Sequence, residues 1–246
     1  MNINIGAGKW RHPDFKNVDM THPKYPLNKV DFEYQLRDKI PLPIASNSCN
    51  VVYCSHVLEH IEDIYAENLL KEIARVLIPG GICRIVSPDF ALAYAAYKAG
   101  NNDFFIKWSE SLKDYSVPQN FMRFFLSPLC TSAIHHRRDL ILTDEEIDAA
   151  FKTSFDEITY KRLLNTISKT IIKKYPNWHI NWWTQNKLET ITSAMKLPLK
   201  LYPNCRGQSI APILRDMKYF HEEHPWLYGY ITGLGLGLTI GILIMS

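Results

Sequence analysis

The glycine pair Gly6 and Gly8 constrains the fold of this chain more than any other feature. The apolar segment Asn2–Ile5 runs directly into Gly6-Ala7-Gly8, and an acid, Asp19, closes the next strand-like segment. Glycine has no Cβ, so the backbone turns sharply there and a bulky group approaches it closely. In open α/β sheets, ligands bind outside the carboxyl ends of the strands. A strand, a glycine turn and an acid together therefore predict a pocket of the nucleotide-binding kind.

The segments that follow decide the fold class, because the third glycine of the dinucleotide pattern G-x-G-x-x-G is replaced here by Arg11. Residues 61–78 carry apolar side chains at spacings of three and four, which predicts an amphipathic helix that Pro79-Gly80 ends. Strand-like segments, Val51–Ser55 and Ile82–Val86, flank this helix. Alternation of strands and helices predicts an α/β fold with a parallel sheet.

The remaining segments complete the predicted order of elements. Strands are expected at Lys16–Asp19 and Val30–Tyr34, with a proline-containing loop in place of a helix between Gly8 and Phe15. A mostly helical region, about 91–175, is interpreted as an insertion that caps the pocket. A helix at Thr184–Met195 is followed by strands at Leu199–Tyr202 and Leu227–Ile231.

Composition favours a single domain that binds a small molecule. The 246 residues, 46% of them hydrophobic, suffice for one core of good size. The 28 basic and 25 acidic residues are too balanced to indicate a nucleic acid partner, and none is expected. Five cysteines without a C-x-x-C pair indicate neither a disulfide framework nor a zinc knuckle. With no signal-peptide pattern at residue 1, a reducing, cytoplasmic location is expected.

The motifs of this chain resemble those of the class I S-adenosylmethionine-dependent methyltransferases, in the branch called type 11 or generic methyltransferases. In chain order they are NIGAG, NVDM, PLPIASNS, VVYCSHVLEHI and RVLIPGGICRIVSPD, over about the first ninety residues. A looser similarity extends from Asn181 to Tyr228. The resemblance implies a doubly wound, mostly parallel, seven-stranded-type sheet of the Rossmann-like kind, in a domain spanning 1–232. It also implies S-adenosylmethionine as cofactor.

The resemblance assigns cofactor-binding roles to residues at the ends of the predicted strands. The glycine turn would abut the methionine part of the cofactor, with backbone N–H groups free to bind its carboxylate, and Asp19 would hold the ribose hydroxyls. His56 would line the cofactor wall after strand four. An ordinary turn, a strand-end aspartate and a structural histidine are the alternative interpretations. The full predicted set is Gly6, Ala7, Gly8, Asp19, Gln35, Leu36, Ser55 and His56.

Two positions depart from the family pattern. Gln35 stands where relatives usually carry an acid near the adenine, and Asn50 stands where they open strand four with Asp. Both residues keep hydrogen-bonding capacity and lose charge. A relative that binds the cofactor without catalysing transfer is therefore the alternative function.

The sequence indicates the catalytic residues less clearly than the cofactor-binding residues. Methyl transfer needs the reacting atoms in line and, for a hydroxyl acceptor, a base. His135 and His136, beside Arg137 and Arg138, are the candidate acceptor-side cluster, although a solvated basic turn explains them equally well. The expected acceptor is a small molecule, with a sugar or glycan hydroxyl suggested by analogy alone.

A rival enzyme class comes from His56-x-x-Glu59-His60, the H-x-x-E-H pattern of inverted zinc peptidases. Such a site needs both histidines within one helix and a third protein ligand. Because His56 directly follows a predicted strand, we prefer capping and packing roles for Glu59 and His60. No metal is predicted.

The last twenty residues, Leu227–Ser246, are uncharged and carry glycines at four-residue spacing, a pattern that suits a membrane span. The same segment contains the predicted last strand, Leu227–Ile231, which would leave 233–246 as a hydrophobic tail too short to cross a membrane. A membrane anchor and a final strand are both kept as interpretations, with a hydrophobic extension after Thr232 that contacts a partner or a membrane surface as the third.

Overall fold

The computed structural model describes residues 1–8, 11–21, 30–107, 110–126, 142–156, 158, 159, 161, 179–197, 200–202 and 239–245. The chain forms two compact units. The first consists of Met1–Val57, Ile64–Pro88 and Gln185–Ser246, and the second of Leu58–Asp63 and Asp89–Thr184.

The first unit is built on one sheet with the strand order β3-β2-β1-β4-β5-β7-β6. Its strands are β1 (Asn2–Ile5), β2 (Phe15–Asp19), β3 (Phe32–Glu33), β4 (Cys49–Ser55), β5 (Leu77–Pro88), β6 (Lys200–Tyr202) and β7 (Thr239–Met245). The strands from β3 to β5 are parallel, and β7 pairs antiparallel with both β5 and β6. The predicted mostly parallel, Rossmann-like α/β fold is confirmed, with five parallel strands from β3 to β5 and, among the described residues, antiparallel pairing only at β7.

The helices of the first unit match their predicted positions closely. Helix α1 spans Asp63–Val76 and helix α6 spans Gln185–Ala194. The apolar face of α1 is buried through Ala66, Leu69, Leu70, Ile73 and Val76. The predicted helix 61–78 is longer than the observed one, because β5 already begins at Leu77, before Pro79 and Gly80.

The C-terminal segment contains a strand that the sequence analysis placed elsewhere. The predicted last strand, Leu227–Ile231, lies outside the described residues. Strand β7 instead occupies Thr239–Met245, within the segment assigned to a hydrophobic tail, and pairs with β5 from Ile82↔Met245 to Pro88↔Thr239. No helix in the described part of the chain is long and apolar enough to span a membrane.

The second unit is helical and has an aromatic core. In the described part of this unit the helices include α2 (Phe90–Lys98), α3 (Asn102–Ile106), α4 (Val117–Leu126) and α5 (Asp144–Phe151). The rings of Tyr97 and Phe121 stack with their centroids 4.3 Å apart, and both side chains are fully buried. The helical character predicted for 91–175 is present in these helices, whereas its role as a cap stays a prediction.

A partly buried ion pair fixes the segment that leads into β4. Arg75 donates to the Glu72 carboxylate at 2.6 Å and to the carbonyl oxygens of Leu42 and Ile44 at 3.1 and 2.9 Å. Glu72 also accepts the Leu42 N–H at 2.6 Å. Burial raises the pKa of Glu72, but the hydrogen bonds from Arg75 and from the Leu42 N–H outweigh it, so the pKa is lowered. The pair thus ties α1 to residues 42–44.

We expect Arg75→Met to lower the free energy of unfolding at pH 7 by about 2 kcal/mol, because it leaves Glu72 charged without its partner. Since the folded-state pKa of Glu72 is depressed, the pair stabilises the fold above the unfolded-state pKa of about 4.3. That contribution is lost as the pH falls through the folded-state value. Urea unfolding at pH 7 and pH 3 measures both effects, and Lys71→Met, on the same helix but exposed, is the control. An equal loss at both pH values would contradict this account.

Candidate functional site

The glycine turn lies at the carboxyl end of β1 and depends on glycine for two separate reasons. Gly6 and Gly8 have φ angles of 66° and 53°, in the left-handed region that favours glycine. A Cβ added at Gly6 would lie 2.3 Å from Cγ2 of Val57, whereas a Cβ at Gly8 would meet nothing within 4 Å. The backbone of Gly6 therefore passes so close to Val57 that a residue with a Cβ does not fit there.

Asp19 closes this turn from the neighbouring strand. Its Oδ2 accepts the N–H of Gly8 at 2.8 Å, and its Oδ1 accepts the N–H of Met20 at 2.7 Å. The N–H of Gly6 donates to the carbonyl of Val18 at 2.8 Å. The expectation that the glycine N–H groups are free to bind a carboxylate is therefore wrong for Gly6 and Gly8. A carboxylate offers about four acceptor positions, so Asp19 keeps capacity for hydroxyl donors while it is held in place.

The register of the sheet brings three predicted residues to one edge. Ile5 of β1 pairs with Val18 of β2 and with Cys54 of β4. The residues that follow these three, Gly6, Asp19 and Ser55, consequently lie at the carboxyl ends of three adjacent parallel strands. This is the edge where open α/β sheets bind their ligands.

His56 follows Ser55 directly and leaves the strand in a bent conformation. Its φ is 55°, and its N–H donates to the carbonyl of Val86 at 2.8 Å, which continues the pairing of β4 with β5. The backbone thus stays in the sheet up to His56 and turns there. His56 thus lies at the end of β4, where the cofactor wall was predicted, and its role in binding stays a prediction.

Gln35 and Leu36 follow β3 at the same end of the sheet. Gln35 caps a short 3-10 helix, Leu36–Asp38, and its side-chain oxygen accepts the N–H of Arg37 at 3.5 Å. Its amide nitrogen lies 3.7 Å from the sulfur of Met20. Asn50, the other departure from the family pattern, is exposed near the start of β4, at the opposite end of that strand. The change at Asn50 is therefore remote from the predicted site, whereas Gln35 belongs to it.

The predicted catalytic residues, His135 and His136, lie outside the described residues, as do Arg137 and Arg138. Their role on the acceptor side therefore stays a prediction. The described residues belong to the predicted cofactor side.

The structure contradicts the alternative interpretation of His56-x-x-Glu59-His60 as a zinc peptidase motif. His56 lies in the bend after β4, Leu58–His60 form a 3-10 helix, and α1 begins only at Asp63. His56 and His60 consequently do not share one α-helix, as that class of site requires. The structure instead brings together Glu59, His60 and His179, whose ligand atoms lie within 4.8 Å of one another. His179 is not among the residues predicted from the sequence, because no spacing pattern connects it to Glu59 and His60.

A family model matches the segment that contains most of the predicted cofactor-binding residues. Residues 12–85 match the family model described as a methyltransferase domain. The matched segment includes Asp19, Gln35, Leu36, Ser55 and His56, whereas the glycine turn lies before it, outside the match. The methyltransferase recognition made from the sequence motifs is confirmed for this segment. No curated protein matches the chain.

Several solved structures resemble the chain at low identity. PKMT2 from Rickettsia typhi is 12% identical with a TM-score of 0.43, over 100% of this chain and 48% of that one. An S-adenosylmethionine-dependent methyltransferase from Archaeoglobus fulgidus is 11% identical with a TM-score of 0.40, over 100% and 85%. One from Mesorhizobium loti is 20% identical with a TM-score of 0.29, over 38% and 47%. The chain thus spans about half the length of the Rickettsia protein.

We expect Gly6→Ala to lower the free energy of unfolding by about 3 kcal/mol, because its Cβ collides with Val57 in addition to the strain of a positive φ. Gly8→Ala adds only the strain of a positive φ and should lower the free energy of unfolding by about 1 kcal/mol. Chemical unfolding of both variants measures the difference. Equal losses would show that the close approach of Gly6 to Val57 is not a constraint on this turn.

Proposed function

We propose that this chain, whose residues 12–85 belong to the methyltransferase domain family, is an S-adenosylmethionine-dependent methyltransferase. The observation that carries the proposal is the set of Gly6, Asp19 and Ser55 at one edge of the parallel sheet, with the carboxylate of Asp19 fixed by two backbone N–H groups. A fixed carboxylate at that edge suits the vicinal hydroxyls of a ribose. S-adenosylmethionine supplies the activated methyl group when bound.

The residues of the chain fit such a cofactor through hydrogen bonds and a close backbone. Asp19 accepts the ribose hydroxyls while Gly8 and Met20 hold its side chain. The glycine turn lets the ligand approach the end of β1, because no Cβ projects from Gly6 or Gly8. Gln35 follows β3, where its side-chain amide has both donor and acceptor capacity for an adenine. Ser55 and His56 border the site from β4.

The acceptor is proposed to be a small molecule with a nucleophilic oxygen, for which a sugar or glycan hydroxyl is the working example. The small net charge of +3 suits such an acceptor better than a nucleic acid. His135 and His136 are the candidate bases that remove the hydroxyl proton, and an adjacent arginine suits a carboxylate or phosphate on the same molecule. The rate of transfer then depends chiefly on alignment of the acceptor with the methyl group.

A cofactor-binding relative without turnover is the second candidate function. The observation that favours it is Gln35, which replaces the usual acid at the predicted adenine side and whose oxygen already accepts the Arg37 N–H. Such a protein would bind S-adenosylhomocysteine and transfer no methyl group to any acceptor.

We expect S-adenosylhomocysteine to bind the full-length chain with a micromolar dissociation constant in calorimetric titration, with EDTA present. The full chain is used because β7 pairs with β5 near the C-terminus. Asp19→Asn should weaken binding by about 10- to 100-fold, the worth of hydrogen bonds to a charged group. Asp31→Asn is the matched control, because Asp31 also accepts a backbone N–H, from Asn17 at 2.8 Å.

Binding that Asp19→Asn weakens and Asp31→Asn leaves unchanged supports the cofactor site. Incubation with labelled S-adenosylmethionine and a panel of sugars and glycans then separates the enzyme from the inactive relative. If folded wild-type protein shows no binding, the methyltransferase proposal is overturned.

A further inference from the structure

We propose that Glu59, His60 and His179 form a binding site for a divalent transition-metal ion, within the unit made by Leu58–Asp63 and Asp89–Thr184. One carboxylate and two imidazoles place their ligand atoms within 4.8 Å of one another. The rings of His60 and His179 lie edge to face with centroids 5.0 Å apart. The proposal depends on this cluster alone and is independent of the cofactor site.

The tautomer of His179 suits metal binding. Its Nδ1 lies 2.7 Å from the carbonyl oxygen of Phe124. A carbonyl oxygen only accepts hydrogen bonds, so Nδ1 is the donor and Nε2 is the nitrogen left to bind an ion. Metal-binding histidines almost always donate their second nitrogen in this way, which fixes the ring and raises its basicity.

The two backbone segments that carry the ligands are held together independently of any ion. The carbonyl of Glu59 accepts the N–H groups of Ile180 and Asn181 at 2.8 and 3.1 Å. The Asn181 side chain donates to the carbonyl of Ile61 and to Asp63, both at 2.9 Å. The indole of Trp183 donates to the carbonyl of Leu58 at 2.9 Å. These bonds bring His179 beside Glu59 and His60 and limit the freedom that an ion must remove on binding.

Ion binding requires the ligand atoms to move closer together. A tetrahedral ion with ligands at about 2.0–2.1 Å sets the ligand atoms about 3.3 Å apart. Atoms that lie within 4.8 Å of one another must therefore approach by side-chain rotation when the ion binds.

The donor set selects the kind of ion. Two imidazoles and one carboxylate suit Zn²⁺ and its neighbours in the first transition row, whereas Mg²⁺ prefers oxygen ligands. Three protein ligands also leave a coordination position for water or a hydroxyl oxygen. An ion held in this way lowers the pKa of the oxygen that it binds.

The test uses full-length protein stripped with EDTA and then freed of chelator. We expect it to take up one Zn²⁺ per chain, measured by mass spectrometry of the metal, and to give with Co²⁺ the intense visible bands of a four-coordinate site. Glu59→Gln and His179→Gln should each weaken Zn²⁺ binding by at least about 100-fold, beyond the 10- to 100-fold typical of residues that only orient a ligand. His12→Gln, on the first unit, is the control and should bind as the wild type does.

Circular dichroism establishes which variants are folded. The Co²⁺ spectrum of the wild-type protein tests the site even if no variant folds. Wild-type protein that takes up no Zn²⁺ at micromolar concentration overturns the proposal, as do folded variants that bind as tightly as the wild type. In the first case Glu59 and the histidines form a charged hydrogen-bonded cluster without an ion. Because the cofactor titration is performed in EDTA, failure of the metal site and failure of the cofactor site are separate results.

Discussion

The pairing of β1 with β2 and β4 is the constraint on which the candidate cofactor site depends. Ile5 is paired on both sides, with Val18 and Cys54, so the residues after these three strands emerge at one edge. The N–H of Gly6 adds a further hydrogen bond to Val18 and draws the chain against Val57. A shift of one residue in this register would reverse the faces of the side chains and separate the glycine turn from Asp19.

The sequence predicted the parts of this structure that local patterns determine. Strands β1, β2 and β4, helix α1 and the turn at Gly6 are each encoded by neighbouring residues, through apolar runs, helical periodicity or glycine. Asp19 was found because it ends a strand. The position of β7 was not found, because an uncharged, glycine-spaced segment suits a membrane span as well as a strand. Its partner β5 lies far away in the sequence, and pairing with β5 decides which residues form the strand.

The cluster of Glu59, His60 and His179 shows the corresponding limit for functional residues. A spacing of four residues places two histidines on one face only if the segment is an α-helix. The positive φ of His56 and the 3-10 helix that follows remove that condition. His179 joins Glu59 through hydrogen bonds between backbone and side-chain groups distant in the sequence, and no periodicity in the amino-acid order encodes such bonds.

The two units differ in the chemistry that their described residues can supply. In the proposed function, Asp19 and the glycine turn hold and orient the cofactor, and another group removes the proton from the acceptor hydroxyl. Transfer to a hydroxyl requires that proton to leave, by a base or by binding of the oxygen to a Lewis acid. In the same proposal, His135 and His136 would serve as the bases that accept this proton.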